Sequence, residues 1–100
     1  MTQGKTTHAV KWFRKAAEQE FAPAQFNLGV MYSEGRGGLP KSDIVAVEWY
    51  RKSAEQGYQN AQYSLGLMYA KGGNGVEKNL EKAMKWMRLA GGTTDGNSQD

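Results

Sequence analysis

The sequence predicts an all-α protein, an α-α superhelix in which helical hairpins stack on one another. A near-duplicate phrase, a fixed offset between equivalent residues and helical apolar spacing all point to it. AQFNLGVMY runs from Ala24 to Tyr32, and AQYSLGLMY from Ala61 to Tyr69. Ala9, Ala46 and Ala83 are spaced 37 residues apart, as are Trp12, Trp49 and Trp86. Laid over each other without a gap, residues 9–45 and 46–82 agree at 17 of 37 positions, where average residue usage would give about two by chance. A period of this length marks a solenoid of small supersecondary units.

The frame that follows is a repeat domain over residues 8–91, with unit one at 8–44, unit two at 45–81 and a half unit at 82–91. Residues 1–7 are expected to be a flexible N-terminus, and the polar residues 92–100 a disordered tail. The first helix of unit one is TTHAVKWFRKAAEQE. At 100° per residue, Ala9, Val10, Trp12, Phe13, Ala16 and Ala17 fall in one apolar arc, opposite Lys11, Arg14, Lys15 and Glu18. Its second helix is the repeated phrase, entered through Pro23, which suits a first turn. Ala24, Leu28, Met31 and Tyr32 lie on one side of it and Phe26 and Val30 on the other. A helix apolar on two sides is buried between neighbours, here its own first helix and that of the next unit.

In unit two, Ser42 is placed to cap the first helix, SDIVAVEWYRKSAEQG, and Asn60 to cap the second. Gly57 supplies a left-handed exit between them. Glu20 stands at that position in unit one, which predicts a less sharp stop. Gly35 and Gly72 end the two second helices. Gly29 and Gly66 sit mid-helix, where glycine costs about 1 kcal/mol relative to alanine. Close backbone approach is the expected compensation, with Ala16 and Ser53 facing them. Unit three has only its first helix, capped at Asn79.

The pattern A-x-x-W-[YF]-R-K-[AS]-A-E-Q-G, followed by A-Q-x-x-L-G-x-M-Y and a glycine-closed loop, resembles the Sel-1-like repeat, a relative of the tetratricopeptide repeat. The resemblance covers about Ala9 to Ala90 and is most complete in unit two. Unit one departs from it at Glu20 and Pro23. It implies a right-handed superhelix of hairpins that acts as a protein-interaction scaffold. Family members serve as adaptors in membrane-linked quality control and in bacterial envelope, signalling and host-interaction systems.

Little in the sequence speaks for catalysis. The chain has no cysteine, which removes disulfides, thiol nucleophiles and thiolate zinc sites. Its single histidine, His8, has no cysteine or paired carboxylate nearby in sequence and is read as solvated or capping. GRGGLPKS, Gly35 to Ser42, resembles a phosphate-binding loop, but Pro40 replaces a required glycine and the preceding segment is helical. It is read as a turn. The penicillin-binding activity linked to some secreted, cysteine-rich family members is not carried over, because their disulfide pattern is missing. No catalytic residue, metal site or cofactor is assigned. The net charge of +3 comes from 13 basic and 10 acidic residues interleaved along the chain, unlike the basic clusters of nucleic-acid binders. No apolar run is long enough to span a bilayer, so neither nucleic acid nor membrane insertion is expected. The lack of cysteine and of a signal peptide in the chain favours a cytoplasmic setting.

The remaining surface is the charged side of the first helices. Stacking brings Arg14, Arg51 and Arg88 into one column, Lys15 and Lys52 into a second that ends at Leu89, and Lys11, Glu48 and Lys85 into a third, with successive units about 10 Å apart. Guanidinium groups so spaced can hold carboxylates along an extended peptide. The competing reading is a self-paired face, since Glu48–Lys52, Arg14–Glu18 and Arg51–Glu55 are all four residues apart. The tryptophans and methionines are read as core packing between units. Met84, Trp86, Met87 and Ala90 lack a following helix to cover them, which makes them an association patch through which the chain could pair with itself. The leading reading is a non-enzymatic adaptor that binds a protein or peptide. A structural spacer from a longer repeat protein and an envelope-associated hydrolase are the alternatives.

Overall fold

The computed structural model describes residues 2–91, with side chains from Val10 onward. Five helices follow in order: α1 (Thr2–Glu18), α2 (Ala22–Glu34), α3 (Asp43–Glu55), α4 (Gln59–Lys71) and α5 (Leu80–Ala90). Among the described residues there are no strands, only a single bridge pairing Gly73 with Val76. Each helix packs on its neighbours in sequence, so α2 lies between α1 and α3, and α4 between α3 and α5. This is the sandwiching that the two-sided apolar pattern predicts.

Helix boundaries follow local chemistry. The Ser42 hydroxyl accepts the Val45 N–H at 3.2 Å and the Asn79 side chain accepts the Lys82 N–H at 2.9 Å, satisfying donors that the first turns of α3 and α5 leave open. Pro23 occupies the first turn of α2. Asn60 does not cap α4; Tyr58 holds that position without a side-chain bond, and Asn60 is the helix's second residue. The start of α1 also differs from expectation. The backbone of residues 2–7, read as a flexible N-terminus, is helical. The side chain of His8 and the tail at 92–100 lie outside the described residues.

The exit from α1 matches that from α3 despite the change of residue. Gly57 has φ 91° and Glu20 has φ 66°, both left-handed. The Phe21 N–H reaches back to the Ala16 carbonyl at 3.1 Å, as the Tyr58 N–H does to Ser53 at 3.3 Å. Glu20 therefore makes the same sharp turn that glycine makes, where the sequence predicts a softer one. The cost is a strained non-glycine backbone.

Gly29 and Gly66 do mark close backbone approach, but not to the residues expected. A Cβ on Gly29 would lie 2.6 Å from two Tyr50 ring carbons and 3.2 Å from the Ala46 carbonyl oxygen. A Cβ on Gly66 would lie 2.7 Å from Met87 Cγ and 3.2 Å from the Ala83 carbonyl oxygen. Each glycine thus admits the first helix of the next unit, rather than Ala16 or Ser53 of its own unit. Ser53 is fully buried and its hydroxyl donates to the Ala22 carbonyl at 2.8 Å, tying α3 to the start of α2.

Two core clusters result. Ala17, Ala24 and Leu28 form one, and Ala46, Tyr50, Ala54, Ala61 and Leu65 the other. Leu28 and Leu65 are completely buried, worth about 1.5–3 kcal/mol each in water-exclusion terms. Phe26 bridges α3 and the start of α4, with ring centroids 5.7 Å from Tyr50 and 5.6 Å from Tyr58. The loops repeat as faithfully as the helices. The Ser42 N–H donates to the Tyr32 carbonyl at 2.8 Å, and the Asn79 N–H to the Tyr69 carbonyl at 2.8 Å. Lys41 donates to the Ser33 carbonyl at 2.9 Å, so the lysine of GRGGLPKS helps to close the end of α2, in keeping with the turn reading.

Two stability predictions follow from these backbones. Gly29→Ala is expected to lower the unfolding free energy by about 1–2 kcal/mol, overpacking against the buried Tyr50 ring outweighing the gain in helix propensity. Gly66→Ala should cost less, because the Met87 side chain can bend aside. Glu20→Gly should raise stability by about 0.5–1 kcal/mol while Gly57→Ala lowers it by a similar amount, through relief and creation of left-handed strain. Urea denaturation of the four variants checks both; a stabilised Gly29→Ala would contradict the close approach.

Candidate functional site

The repeated Ala-Gln pair shapes the surface between successive first helices. Gln25, nearly fully buried, donates from Nε2 to the Ala17 carbonyl at 3.3 Å, and Gln62 donates to the Ala54 carbonyl at 3.2 Å. Each glutamine adds a second donor to a carbonyl at the end of the preceding first helix that also accepts a turn N–H, from Glu20 at Ala17 and from Gly57 at Ala54, both at 2.9 Å. In the first junction Gln56 extends this network, its Nε2 donating to Gln25 Oε1 and to the Glu20 carbonyl, both at 2.9 Å. At the second junction Gln59 donates to the Ala90 carbonyl, tying the start of α4 to the end of α5 as Ser53 ties α3 to the start of α2.

Above the Gln25–Gln56 pair lies a cleft of about 440 Å³ between the end of α1 and α3. Glu18 and Glu20 form one wall; Trp49, Lys52 and Glu55 form the other. Trp49 is half-buried, its inner side packed against the Ala17–Ala24–Leu28 cluster. The Lys52 ammonium lies over the indole, 4.9 Å from the ring centroid, a contact worth about 0.5–1 kcal/mol at an exposed site. A smaller, more open hollow of about 230 Å³ is lined by Ser33, Asp43, Tyr50 and residues of α4. Burial pushes the Tyr50 hydroxyl above its ordinary range.

All eight residues assigned from sequence to the partner-binding face are exposed: Lys11, Arg14, Lys15, Glu48, Arg51, Lys52, Lys85 and Arg88. Only Lys52 lines the cleft. Arg14 instead donates to the Tyr32 hydroxyl at 3.1 Å, and Lys85 lies over Trp86, 5.3 Å from the ring centroid. The self-paired face is not what forms. Among the described residues the ion pairs are Arg36–Glu34 at 3.2 Å and Lys41–Asp43 at 3.9 Å, neither of them an expected helix pair. Two of the lysines rest on aromatic rings instead.

Three tryptophans at one wheel position have unequal surroundings. Trp49 and Trp86 pack on the core of the unit before them. Trp12, expected in the core, is 72% exposed, because among the described residues no helix precedes α1 for it to rest on. The association patch is also redrawn. Ala90 is buried, and Trp86 and Met87 are half-buried against α4, leaving Met84 as the one exposed member. Leu80 and Leu89, which the sequence reading did not assign to it, are exposed on α5. The cleft residues Glu20, Gln25 and Gln56 were likewise missed, although the recurring Ala-Gln pair was their signal.

The Sel1 repeat family model matches residues 5–21, 22–58 and 59–91. The chain belongs to the Sel1 repeat family. Two solved Sel1 structures are closely similar to it. A Sel1 repeat protein from Oxalobacter formigenes matches 86% of the chain at 44% identity and a TM-score of 0.80, over 35% of its own length. A protective antigen present in uropathogenic Escherichia coli strains, displaying an SLR fold, matches 86% of the chain at 42% identity and a TM-score of 0.79, over 18% of its own length. The chain thus spans about a third or less of these proteins. No functionally characterised relative in curated collections matches it. Sel1 repeats generally mediate protein interactions and are typically non-enzymatic. The family model divides the Sel1 chain one helix out of phase with the hairpin frame read from sequence: the matches at 22–58 and 59–91 open on the second helices α2 and α4, and the match at 5–21 covers α1. No helix among the described residues is long and apolar enough to cross a membrane.

The raised Tyr50 ionisation has a consequence for stability. The native state holds this proton to higher pH than the unfolded chain does, so stability is intact below the ordinary tyrosine range near pH 10 and falls as pH rises through and above it. Tyr50→Phe should flatten that alkaline loss in denaturation midpoints measured between about pH 9 and pH 11.

Proposed function

We propose that this Sel1 chain is a protein-interaction module that holds an extended peptide segment of a partner along its first helices. The reading is supported by the placement of Arg14, Arg51 and Arg88 at equivalent positions of α1, α3 and α5, all exposed. Guanidinium binds carboxylate through two parallel hydrogen bonds, and three of them in register suit a chain with acidic side chains. Lys11, Lys15, Lys52 and Lys85 add positive charge to the same helices, with Glu48 among them. Trp49, half-buried beside Lys52, offers a rigid aromatic contact of the sort that concentrates binding energy.

The core needs none of these charges. Helix pairing is carried by Leu28, Leu65 and the glycine contacts, and helix ends by Gln25 and Gln62. Exposed charged residues carried on a rigid scaffold are the natural place for recognition.

The test is selection of binders from a random peptide display library, followed by affinity measurement against a triple variant with Arg14→Glu, Arg51→Glu and Arg88→Glu. Selected peptides should be rich in Asp and Glu and lose at least about tenfold in affinity for the variant, roughly the worth of one charge-assisted contact. Equal binding by both proteins would remove the arginine column from the interface.

A further inference from the structure

We infer that the cleft between α1 and α3 receives a cationic side chain, lysine or arginine, from the bound segment. This rests on the peptide-binding reading and adds a chemical requirement to it: the partner carries a basic residue beside its acidic ones. The volume of about 440 Å³ falls within the range of side-chain and small-ligand sites. Its walls supply three carboxylates, Glu18, Glu20 and Glu55, against one ammonium, Lys52. Among the described residues none of the three carboxylates is in an ion pair, since those pairs lie elsewhere, at Arg36–Glu34 and Lys41–Asp43. The cleft therefore presents an excess of negative charge in an otherwise basic chain.

The aromatic wall shows what this place accepts. A cation already sits on the Trp49 indole: the Lys52 ammonium, 4.9 Å from the ring centroid. Lys52 is exposed and on a flexible stem, so it acts as a displaceable stand-in for a ligand's own charge. A guanidinium stacks on indole better than an ammonium does and can also bridge to the carboxylates. The next junction lacks this chemistry. By the 37-residue offset, Leu89 replaces Lys52 and Gly57 replaces Glu20, while Trp86 keeps the place of Trp49. The repeat supplies the tryptophan and, at the place of Glu18, Glu55; Glu20 and Lys52 have no charged counterpart there.

The indole N–H signals of the three tryptophans, followed by NMR, test this without knowledge of the natural partner. Nα-acetyl-arginine amide should move the Trp49 signal saturably, whereas the norleucine and glutamate analogues should not. Glu18→Gln/Glu20→Gln/Glu55→Gln, all exposed positions, should abolish the shift with the Trp12 and Trp86 signals unchanged. Lys52→Met should tighten binding by about two- to fivefold, by removing a competing surface cation. Equal shifts with norleucine, a Trp12 response as large as that of Trp49, or a triple variant that still responds would each overturn the assignment. The arginine-column variant should still bind the probe. Loss of peptide affinity there with the Trp49 shift retained supports both readings; unchanged peptide affinity with the shift retained removes the column and leaves the cleft.

Discussion

Everything in this solenoid depends on how closely one unit's second helix can approach the next unit's first helix. Removing the Cβ at Gly29 and Gly66 lets the Ala46 and Ala83 carbonyls and the Tyr50 and Met87 side chains come within a distance that any other residue would block. Glycine is unfavourable inside a helix by about 1 kcal/mol, and the tight interface offsets it by excluding water from both sides of α2 and α4. Leucine and glycine, adjacent in the phrase, divide the work. Leu28 fills the cluster with Ala17 and Ala24, while Gly29 admits α3. That approach also brings the Tyr32 and Tyr69 carbonyls within reach of the Ser42 and Asn79 N–H groups, which closes each loop onto its helix.

The duplicated phrase is thus a structural specification, and its second letter matters as much as its glycine. Gln25 and Gln62 each donate to a carbonyl of the preceding first helix, which gives their own buried amides a partner where an unmet donor would be costly. Once packing and helix ends are settled by the phrase, the outward side of the first helices is unconstrained. The units differ there: Lys11 against Glu48 and Glu20 against Gly57 between units one and two, and Lys52 against Leu89 between unit two and the half unit.

Helical content, hairpin stacking, both side-chain caps of α3 and α5, and the need for close approach at glycine were all legible, because each is set by local spacing and residue chemistry. What sat opposite each residue was not. The wheel groups Trp12 with Ala16 and Ala17, but Trp12 needs a preceding helix to cover it, and it is exposed while Trp49 and Trp86 are covered. The same gap assigned Gly29 to Ala16 instead of Ala46, and turned Trp86, Met87 and Ala90 outward when α4 covers them. Charge was misread for a different reason. Sequence spacing suggests Glu48–Lys52, yet the Trp49 ring, three residues from Lys52, competes for the same ammonium and holds it. Glu20 shows the converse: position in the repeat overrides residue preference, forcing a left-handed turn on a glutamate.

The two ends of the solenoid are not held equally. α5 packs broadly on α4 through Ala83, Met87 and Ala90, with Gly66 receiving it and Gln59 bonded to its last carbonyl. Among the described residues α1 packs chiefly on α2, leaves Trp12 in solvent, and is followed by the strained Glu20. Its main ties to the rest run through Gln25 and Gln56 at its C-terminal end, beneath the cleft. Sub-global opening begins where such contacts are fewest, which places it at α1. A ligand bridging Glu18 and Glu20 to Trp49 would add contacts across that junction, so occupancy of the cleft and order of α1 would be coupled by mass action. Glu18 at the end of α1 and Glu20 just beyond it form one wall of the cleft, so recognition there would also tie α1 to α3.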